Sequence, residues 1–152
     1  MFYAGQSINW ERGRVQEDLR RLGEAGFRVR HCAPLPFEEY VRTMAHSWLV
    51  LSPPGNGYDC YRHYEVPLAG SVPLMAVPTI FRYRPLRHGR EAWNYQPDAA
   101  DLVAVVRRAL RDKERLIRMS RAGCHRVLRY HRWSRLVEHI RQEAAGLVSA
   151  AD

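Results

Sequence analysis

A short apolar run that leads directly into a turn-forming loop constrains the fold of this chain more than any other feature. The run is Trp48–Leu51, and the loop is Pro53–Gly57, with the sequence Pro-Pro-Gly-Asn-Gly. A continuous apolar run of this length is typical of a parallel strand that is buried on both faces. Closely spaced proline and glycine mark a turn. The segment therefore predicts a parallel sheet with helices on both sides.

Short apolar strands alternate with amphipathic helices through the first half of the chain, which is the pattern of a right-handed α/β fold. The predicted strands are Phe2–Gly5, Phe27–Cys32, Trp48–Leu51 and Val72–Met75. Apolar residues three or four apart share one helix face, and they predict three helices: one that buries Val15, Leu19 and Leu22, one that buries Phe37, Tyr40, Val41 and Met44, and one over about Asp59–Ala69. Gly26 is placed to end the first helix, and Pro36 suits the first turn of the second.

The second half is predicted to close the sheet with helices. Asp98 is a good N-cap residue for a helix whose apolar stripe is Leu102, Val105, Val106, Ala109 and Leu110. Another helix is predicted to begin at Asp112. The last helix places Trp133, Leu136, Val137, Ile140, Ala144 and Leu147 on one face, which we expect to be core. The fold expected for residues 1–152 is a single Rossmann-like α/β domain with a mostly parallel sheet.

Length and composition exclude several classes of protein. The 152 residues, 46% apolar and 26% charged, are typical of one globular domain. No apolar run approaches the roughly 18 residues of a membrane helix, and no signal peptide is visible. The three cysteines, Cys32, Cys60 and Cys124, are widely spaced and odd in number. We therefore expect no disulfide framework and a cytoplasmic location.

The net charge of +8 suits an anionic partner. Lys113 is the only lysine, so the other 23 of the 24 basic residues are arginine, and many alternate with acids, as in Arg111–Arg115. Charge spread in this way does not favour nucleic acid as the partner. A non-catalytic basic module that binds nucleic acid or protein is the alternative function. Arginine also fits phosphate oxygens bidentately, so the charge agrees with a phosphate-bearing ligand.

The densest functional signal lies between Leu51 and Pro73. Ligands of open α/β sheets bind just beyond the carboxyl ends of the strands, and the helix after such a loop presents N–H groups to an anion. Arg62 and Glu65 are three residues apart and share one face of the predicted helix. A carboxylate there can accept hydrogen bonds from a ribose diol, and an arginine beside it can face a diphosphate. The alternative is that Glu65 is a solvated partner of Arg62.

Residues Ser52–Leu74 fit the pattern S-P-x-G-x-G-x-D-x-x-R-x-x-E-x-x-x-A-G-x-V-P-L. This pattern resembles the nucleotide-sugar-binding, C-terminal half of GT-B glycosyltransferases, in particular the exostosin-like and the family 1 or family 4-like branches. The resemblance extends at lower specificity over most of the chain, including His131–Ser134, which is similar to the start of the final helix of that half.

The resemblance implies a role for individual residues. Glu65 matches the acidic residue that contacts the nucleotide ribose, and Arg62 matches an arginine of the exostosin-like branch; both are implied to be catalytic. The implied donor-binding residues are Gly55, Asn56, Gly57, Tyr58, Asp59, Cys60, Arg62 and Glu65, together with Arg12 and Arg14 against the diphosphate. The base is expected near Ala33–Leu35.

The implied donor is a nucleotide-diphosphate sugar, with no metal cofactor. Backbone N–H groups of residues 57–60, with Arg62, are expected to stabilise the departing diphosphate. Gly57 departs from the pattern, because many family 4 enzymes have a second glutamate at that position. Asp59 is expected to cap the helix. GT-B enzymes bind the acceptor in a second α/β domain, for which this chain is too short, so a separate acceptor-binding domain or subunit is expected.

Cysteine and histidine could also indicate a metal. The spacing Cys60-x-x-His63 suits no standard zinc finger, and no metal site is predicted. At a helix N-terminus the Cys60 thiol can have a lowered pKa, but a small packing residue is the preferred interpretation. Tyr58, Tyr61 and Tyr64 are three residues apart and are predicted to pack against the sheet.

Overall fold

The computed structural model describes residues 2–4, 15–32, 34–54, 59–78, 80 and 82–149. The strands in these ranges are β1 (Phe2–Ala4), β2 (Arg30–Cys32), β3 (Leu49–Ser52), β4 (Val72–Ala76) and β5 (Trp93–Tyr95). The helices in these ranges are α1 (Val15–Glu24), α2 (Phe37–Ala45), α3 (Arg62–Leu68), α4 (Leu102–Leu110), α5 (Lys113–Tyr130) and α6 (Trp133–Ser149).

The described strands form one parallel sheet in the order β2-β1-β3-β4-β5. The predicted α/β class and the parallel pairing are confirmed. β2 is shorter than predicted, at three residues, and β5 was not predicted at all because its three residues, Trp-Asn-Tyr, carry little periodic signal. The chain moves outward from β1 to β2 and then returns to place β3 on the other side of β1. The sheet therefore has a topological switch point between β1 and β3.

Helices cover both faces of the sheet. Leu49 and Leu51 of β3 point to a cluster that contains residues of α1 and α4, and Val50 between them points to the opposite cluster, with Met44 of α2 and Val66 of α3. Burial of the whole strand explains its continuous apolar sequence. α5 contributes to both sides, because its first half joins the first cluster and its Val127 packs in a third cluster around Met75 of β4.

Two predicted helix ends are confirmed and one is wrong. Gly26 has a φ of +84°, and the Phe27 N–H donates to the Leu22 carbonyl at 3.1 Å, which is the glycine-terminated end expected. Asp112 caps α5 through the Arg115 N–H at 2.8 Å. Asp98 does not cap α4. Its carboxylate accepts from the Ala100 N–H within a turn that precedes the helix.

Several apolar side chains expected to be buried are exposed. Phe37 at the start of α2 is 73% exposed, and on α6 Trp133, Val137 and Ile140 are 79%, 53% and 64% exposed. The prediction that the α6 stripe is core was therefore wrong for these residues. Periodicity shows that side chains share one face of a helix, but it does not show what covers that face. No helix in the described part of the chain is both long and apolar enough to span a membrane.

α3 and α5 approach closely at a glycine. A Cβ added at Gly123 of α5 would lie 3.2 Å from Pro67 Cβ of α3 and 3.3 Å from the Glu91 carbonyl oxygen. Gly123→Leu should therefore force the helices apart and lower the free energy of unfolding by about 1–3 kcal/mol, as overpacking does. Chemical denaturation with a two-state fit is the measurement.

The matched control is Gly146→Leu on α6, where an added Cβ meets nothing within 4 Å. This change should leave stability unchanged or raise it by up to about 1 kcal/mol, because leucine favours helix over glycine. Equal destabilisation by the two substitutions would contradict the close approach of α3 and α5.

Candidate functional site

The candidate site lies at the carboxyl edge of the sheet, beside the switch point between β1 and β3. Phe2 pairs with Val50, so the two strands run out toward the same edge. A switch point of this kind opens a crevice outside the strand ends, where open α/β sheets bind ligands. The segment that follows β3 leads into α3, and it carries the residues predicted to bind a donor.

Glu65 is held by a tyrosine from the neighbouring helix. The Tyr40 hydroxyl of α2 donates to Glu65 Oε2 at 2.9 Å, and Arg62 Nε lies 3.4 Å from the same hydroxyl oxygen. A guanidinium only donates hydrogen bonds, so Tyr40 accepts from Arg62 and directs its own proton to Glu65. Burial raises the pKa of Tyr40, and the Glu65 carboxylate adds to that rise, so the hydroxyl stays protonated at neutral pH. The arrangement fixes one oxygen of a half-buried carboxylate.

A second cluster surrounds Asp59, whose carboxylate is in contact with three side chains. The Tyr64 hydroxyl donates to its two oxygens at 2.9 and 2.7 Å, His63 Nδ1 lies 3.3 Å away, and Arg82 Nη1 lies 3.6 Å away. Burial alone would raise the pKa of Asp59, but the hydrogen bonds of His63 and Tyr64 and the charge of Arg82 hold it below its ordinary value. Asp59 therefore remains a carboxylate and organises the start of α3 through side chains. The expected helix cap at Asp59 is wrong, because α3 begins at Arg62.

His63 ties this cluster to the sheet. Its Nε2 lies 3.1 Å from the carbonyl oxygen of Ser52, the last residue of β3, and the side chain is 4% exposed. Nδ1 also lies 3.2 Å from Arg82 Nη1, so it accepts from Arg82 when the ring is neutral and donates to Asp59 when the ring is protonated. Burial lowers the pKa of His63, but Asp59 and Cys60 outweigh burial, and the net shift is upward.

Polar groups surround the Cys60 thiol. Its Sγ lies 3.6 Å from the Pro53 carbonyl and 3.8 Å from the Ser52 hydroxyl. Burial alone would raise the pKa of the thiol, but the hydrogen bond and charge of His63, with help from Ser52, lower it to about 7. A substantial thiolate fraction at neutral pH follows.

The predicted packing of Tyr61 against the sheet is wrong, since that side chain is 80% exposed.

The structure places only some of the predicted site residues. Asp59, Cys60, Arg62 and Glu65 lie together within or just before the first turn of α3. Gly55–Tyr58, Arg12 and Arg14 lie outside the described residues, as does Ala33 of the expected base region. The predicted roles of all these residues in binding or catalysis stay predictions. Within the described ranges, no group of three or more His, Cys, Asp or Glu side chains is arranged to hold a metal.

The sequence did not predict that four further residues belong to the site, namely Tyr40, His63, Tyr64 and Arg82. The spacing of Asp59 and His63, four residues apart, was a signal in the sequence, since it brings side chains together on a helical turn. Tyr40 and Arg82 had no such signal, because each reaches the site from another element and depends on the order of the strands.

The other edge of the sheet holds a basic cavity of about 490 Å³, lined in part by Arg28, Trp48 and Lys113. The Lys113 ammonium lies 5.0 Å from the centroid of the Trp48 ring, and burial lowers its pKa. α1, α2 and α4 all end at this edge, and cations stabilise the exposed carbonyls of helix C-termini. The cavity lies away from the carboxyl ends of the strands, where the site residues are.

Comparison with known proteins agrees with the fold. The chain superimposes on sucrose-phosphate synthase from Thermosynechococcus elongatus with a TM-score of 0.68 and 17% identity, over 98% of this chain and 38% of that one. It superimposes on Anabaena HepE, solved in complex with UDP-glucose, with a TM-score of 0.60 and 17% identity, over 97% of this chain and 40% of that one. The fold is thus that of a GT-B glycosyltransferase domain, and the chain spans about two fifths of each of these solved chains.

The family is shown by sequence. A family model described as glycosyl transferase-like matches residues 3–142, which is most of the chain. The chain belongs to this family, and the resemblance identified from Ser52–Leu74 is confirmed at that level. No curated protein sequence gives a significant match.

The lowered pKa of Cys60 can be measured by alkylation. In a Cys32→Ser, Cys124→Ser background, the rate of reaction with iodoacetamide should rise with pH about a midpoint near 7, because the thiolate is the nucleophile. His63→Gln should move this midpoint upward, toward the ordinary value of a thiol. A midpoint that is ordinary in the parent, or that His63→Gln leaves unchanged, would contradict the contact between Cys60 and His63.

Proposed function

We propose that this chain is the donor-binding part of a glycosyltransferase and binds a nucleotide-diphosphate sugar at the carboxyl edge of its sheet. The observation that carries the proposal is Glu65, a carboxylate held by Tyr40 beside the switch point in a chain of the glycosyl transferase-like family. Tyr40 occupies Oε2, and the other oxygen of the carboxylate suits a ribose hydroxyl. A ribose diol supplies two donors, which match an acceptor-only side chain.

UDP is the first nucleotide to test, because the structural neighbour HepE was solved with UDP-glucose. The binding energy of such a ligand divides between base, ribose and diphosphate. The proposal assigns the ribose to Glu65 and keeps the base near Ala33–Leu35. Tyr40 is a positioning residue in this scheme, since it acts on the ribose only through Glu65.

Transfer requires a second part that binds the acceptor. The chain spans 38% and 40% of the glycosyltransferase chains on which it superimposes, and the proposal places acceptor binding in the remainder, on another domain or subunit. In this scheme the described residues hold the donor and stabilise its diphosphate. They leave the activation of the acceptor hydroxyl to the other part.

The isolated chain should bind donor and transfer poorly. UDP or a UDP-sugar at about 100 times its Kd adds roughly 2.7 kcal/mol of stability, which should raise the melting midpoint by on the order of 5–10 °C for a domain of this size. A thermal-shift panel of UDP, GDP, ADP and their sugar conjugates makes the measurement, and product analysis with simple acceptors follows. If a cooperatively melting protein shows no shift across the panel, the proposal is wrong. Efficient transfer by the chain alone would overturn the need for a second part.

Glu65→Gln should weaken UDP binding by roughly 10-fold, because hydrogen bonds to a charged acceptor are worth about 1.5–3 kcal/mol and the amide keeps only part of that. The loss should be much smaller for 2′-deoxy-UDP, which lacks one of the two ribose donors. Tyr40→Phe should also weaken the binding of UDP more than that of 2′-deoxy-UDP, by a smaller factor than Glu65→Gln. Isothermal titration calorimetry is the measurement.

Glu114→Gln on α5 is the matched control, since that carboxylate is 87% exposed and follows Lys113 at the opposite edge of the sheet. It should leave both affinities unchanged. If Glu65→Gln binds UDP as tightly as the parent chain, Glu65 is not part of the site.

A further inference from the structure

Arg82 is a buried cation that lacks partners along one edge. Its side chain is 5% exposed, and its Nη1 lies 3.6 Å from Asp59 Oδ1 and 3.2 Å from His63 Nδ1. Nε and Nη2 are also buried, but neither has a hydrogen-bond partner within the described ranges. All partners of the guanidinium among the described residues therefore contact Nη1.

The two nitrogens without partners form a complete recognition edge. The Nε–H and one Nη2–H of a guanidinium point in parallel from the same side, and this pair fits two oxygens of a phosphate or carboxylate. Buried donors are almost always hydrogen-bonded in native proteins, and one left without a partner is costly. Among the described residues the edge of Arg82 has no acceptor, and an anion with two adjacent oxygens would supply two.

The neighbouring carboxylate does not fill this role. Asp59 already accepts from Tyr64 at 2.7 and 2.9 Å, and His63 Nδ1 lies 3.3 Å from its Oδ1. Its contact with Arg82 is a single long one through Nη1.

Arg82 also stands beside the residues assigned to the donor. It follows β4, whose first four residues pair with β3, and its neighbour His63 contacts the carbonyl of Ser52 at the end of β3. His63 and Glu65 are two residues apart in α3, so their side chains leave the helix roughly 200° apart, and a ligand must pass the first turn of α3 to reach from Glu65 to Arg82. Nucleoside diphosphates carry their phosphates directly on the ribose, so a ligand held by Glu65 brings phosphate to this part of the crevice.

We propose that Arg82 binds the diphosphate of the donor through its Nε and Nη2 edge. This inference rests on the proposed function, and it gives Arg82 the contact that the sequence pattern assigned to Arg62, Arg12 or Arg14. The Nε–H of Arg62 instead donates to the hydroxyl of Tyr40, which orients Glu65. Ribose and diphosphate are then held by Glu65 on α3 and by an arginine that arrives from beyond β4.

The test compares UDP with uridine on the parent chain and on Arg82→Met, by calorimetry. Loss of two charge-assisted hydrogen bonds should weaken UDP binding by roughly 10- to 100-fold, while uridine binding stays the same. Arg121→Met, at an exposed position on α5, should change neither affinity. If Arg82→Met keeps the parental ratio of UDP to uridine affinity, the inference is wrong.

A second readout separates ligand binding from a structural role. Methionine removes the buried charge, and Asp59 keeps His63, Tyr64 and its 40% exposure to solvent, so the melting midpoint without ligand should be unchanged or higher. If the chain itself satisfies the edge of Arg82, Arg82→Met will instead melt several degrees lower with no selective loss of UDP, which overturns the inference. Should Arg82→Met fail to fold, Arg82→Lys takes its place, because lysine keeps the charge and loses the paired donors.

Inorganic pyrophosphate distinguishes this inference from the proposed function. The parent should be stabilised by pyrophosphate, and Arg82→Met or Arg82→Lys should lose most of that shift. Pyrophosphate stabilisation that depends on Arg82, without any nucleotide binding, would support the anion site and overturn the donor proposal. Nucleotide binding that is independent of Arg82 would support the donor proposal and overturn the assignment of Arg82. No shift with pyrophosphate or nucleotide would overturn both proposals.

Discussion

Parallel pairing on both sides of β3 is the constraint on which the rest of the molecule depends. The strand is completely buried between β1 and β4, and its side chains alternate between the two helical layers. A strand in this position cannot be joined to its neighbours by tight hairpins, so every connection crosses a face as a helix or long loop. Each of those crossings begins at the carboxyl edge, and this is why Glu65, Asp59 and Arg82 all lie there although they follow two different strands.

The geometry of the site is a tertiary property rather than a helical one. α3 has seven residues and contains Pro67, too short to be stable alone. Its position comes from Val66 in the core, from the close approach to Gly123 and from the hydrogen bond of His63 to β3. Substitutions far from the crevice can therefore move Glu65 without touching it.

The sequence predicted the class of fold and the segment that carries the site, but not the contacts within that segment. Burial on two faces leaves a continuous apolar signature, so β3 and the α/β class were readable, and the glycine at the end of α1 follows from one local rule. β5 is too short to be periodic. Asp59 looked like a helix cap because its spacing allows one, and its engagement by Tyr64 and Arg82 arises only once the strands are ordered. Tyr40 contacts Glu65 across 25 positions of sequence, a separation that no local pattern records.

The basic cavity at the amino edge has a practical consequence. Lys113 lies there, at the start of α5 beside Trp48, while the residues of the candidate site gather at the carboxyl edge. Because no other lysine exists in the sequence, an amine-directed reagent has a single side-chain target. Its lowered pKa favours reaction at mild pH, where the neutral amine is the nucleophile. Apart from coupling at the α-amino group, molecules attached to a surface through this lysine would all present the crevice outward, in one uniform orientation.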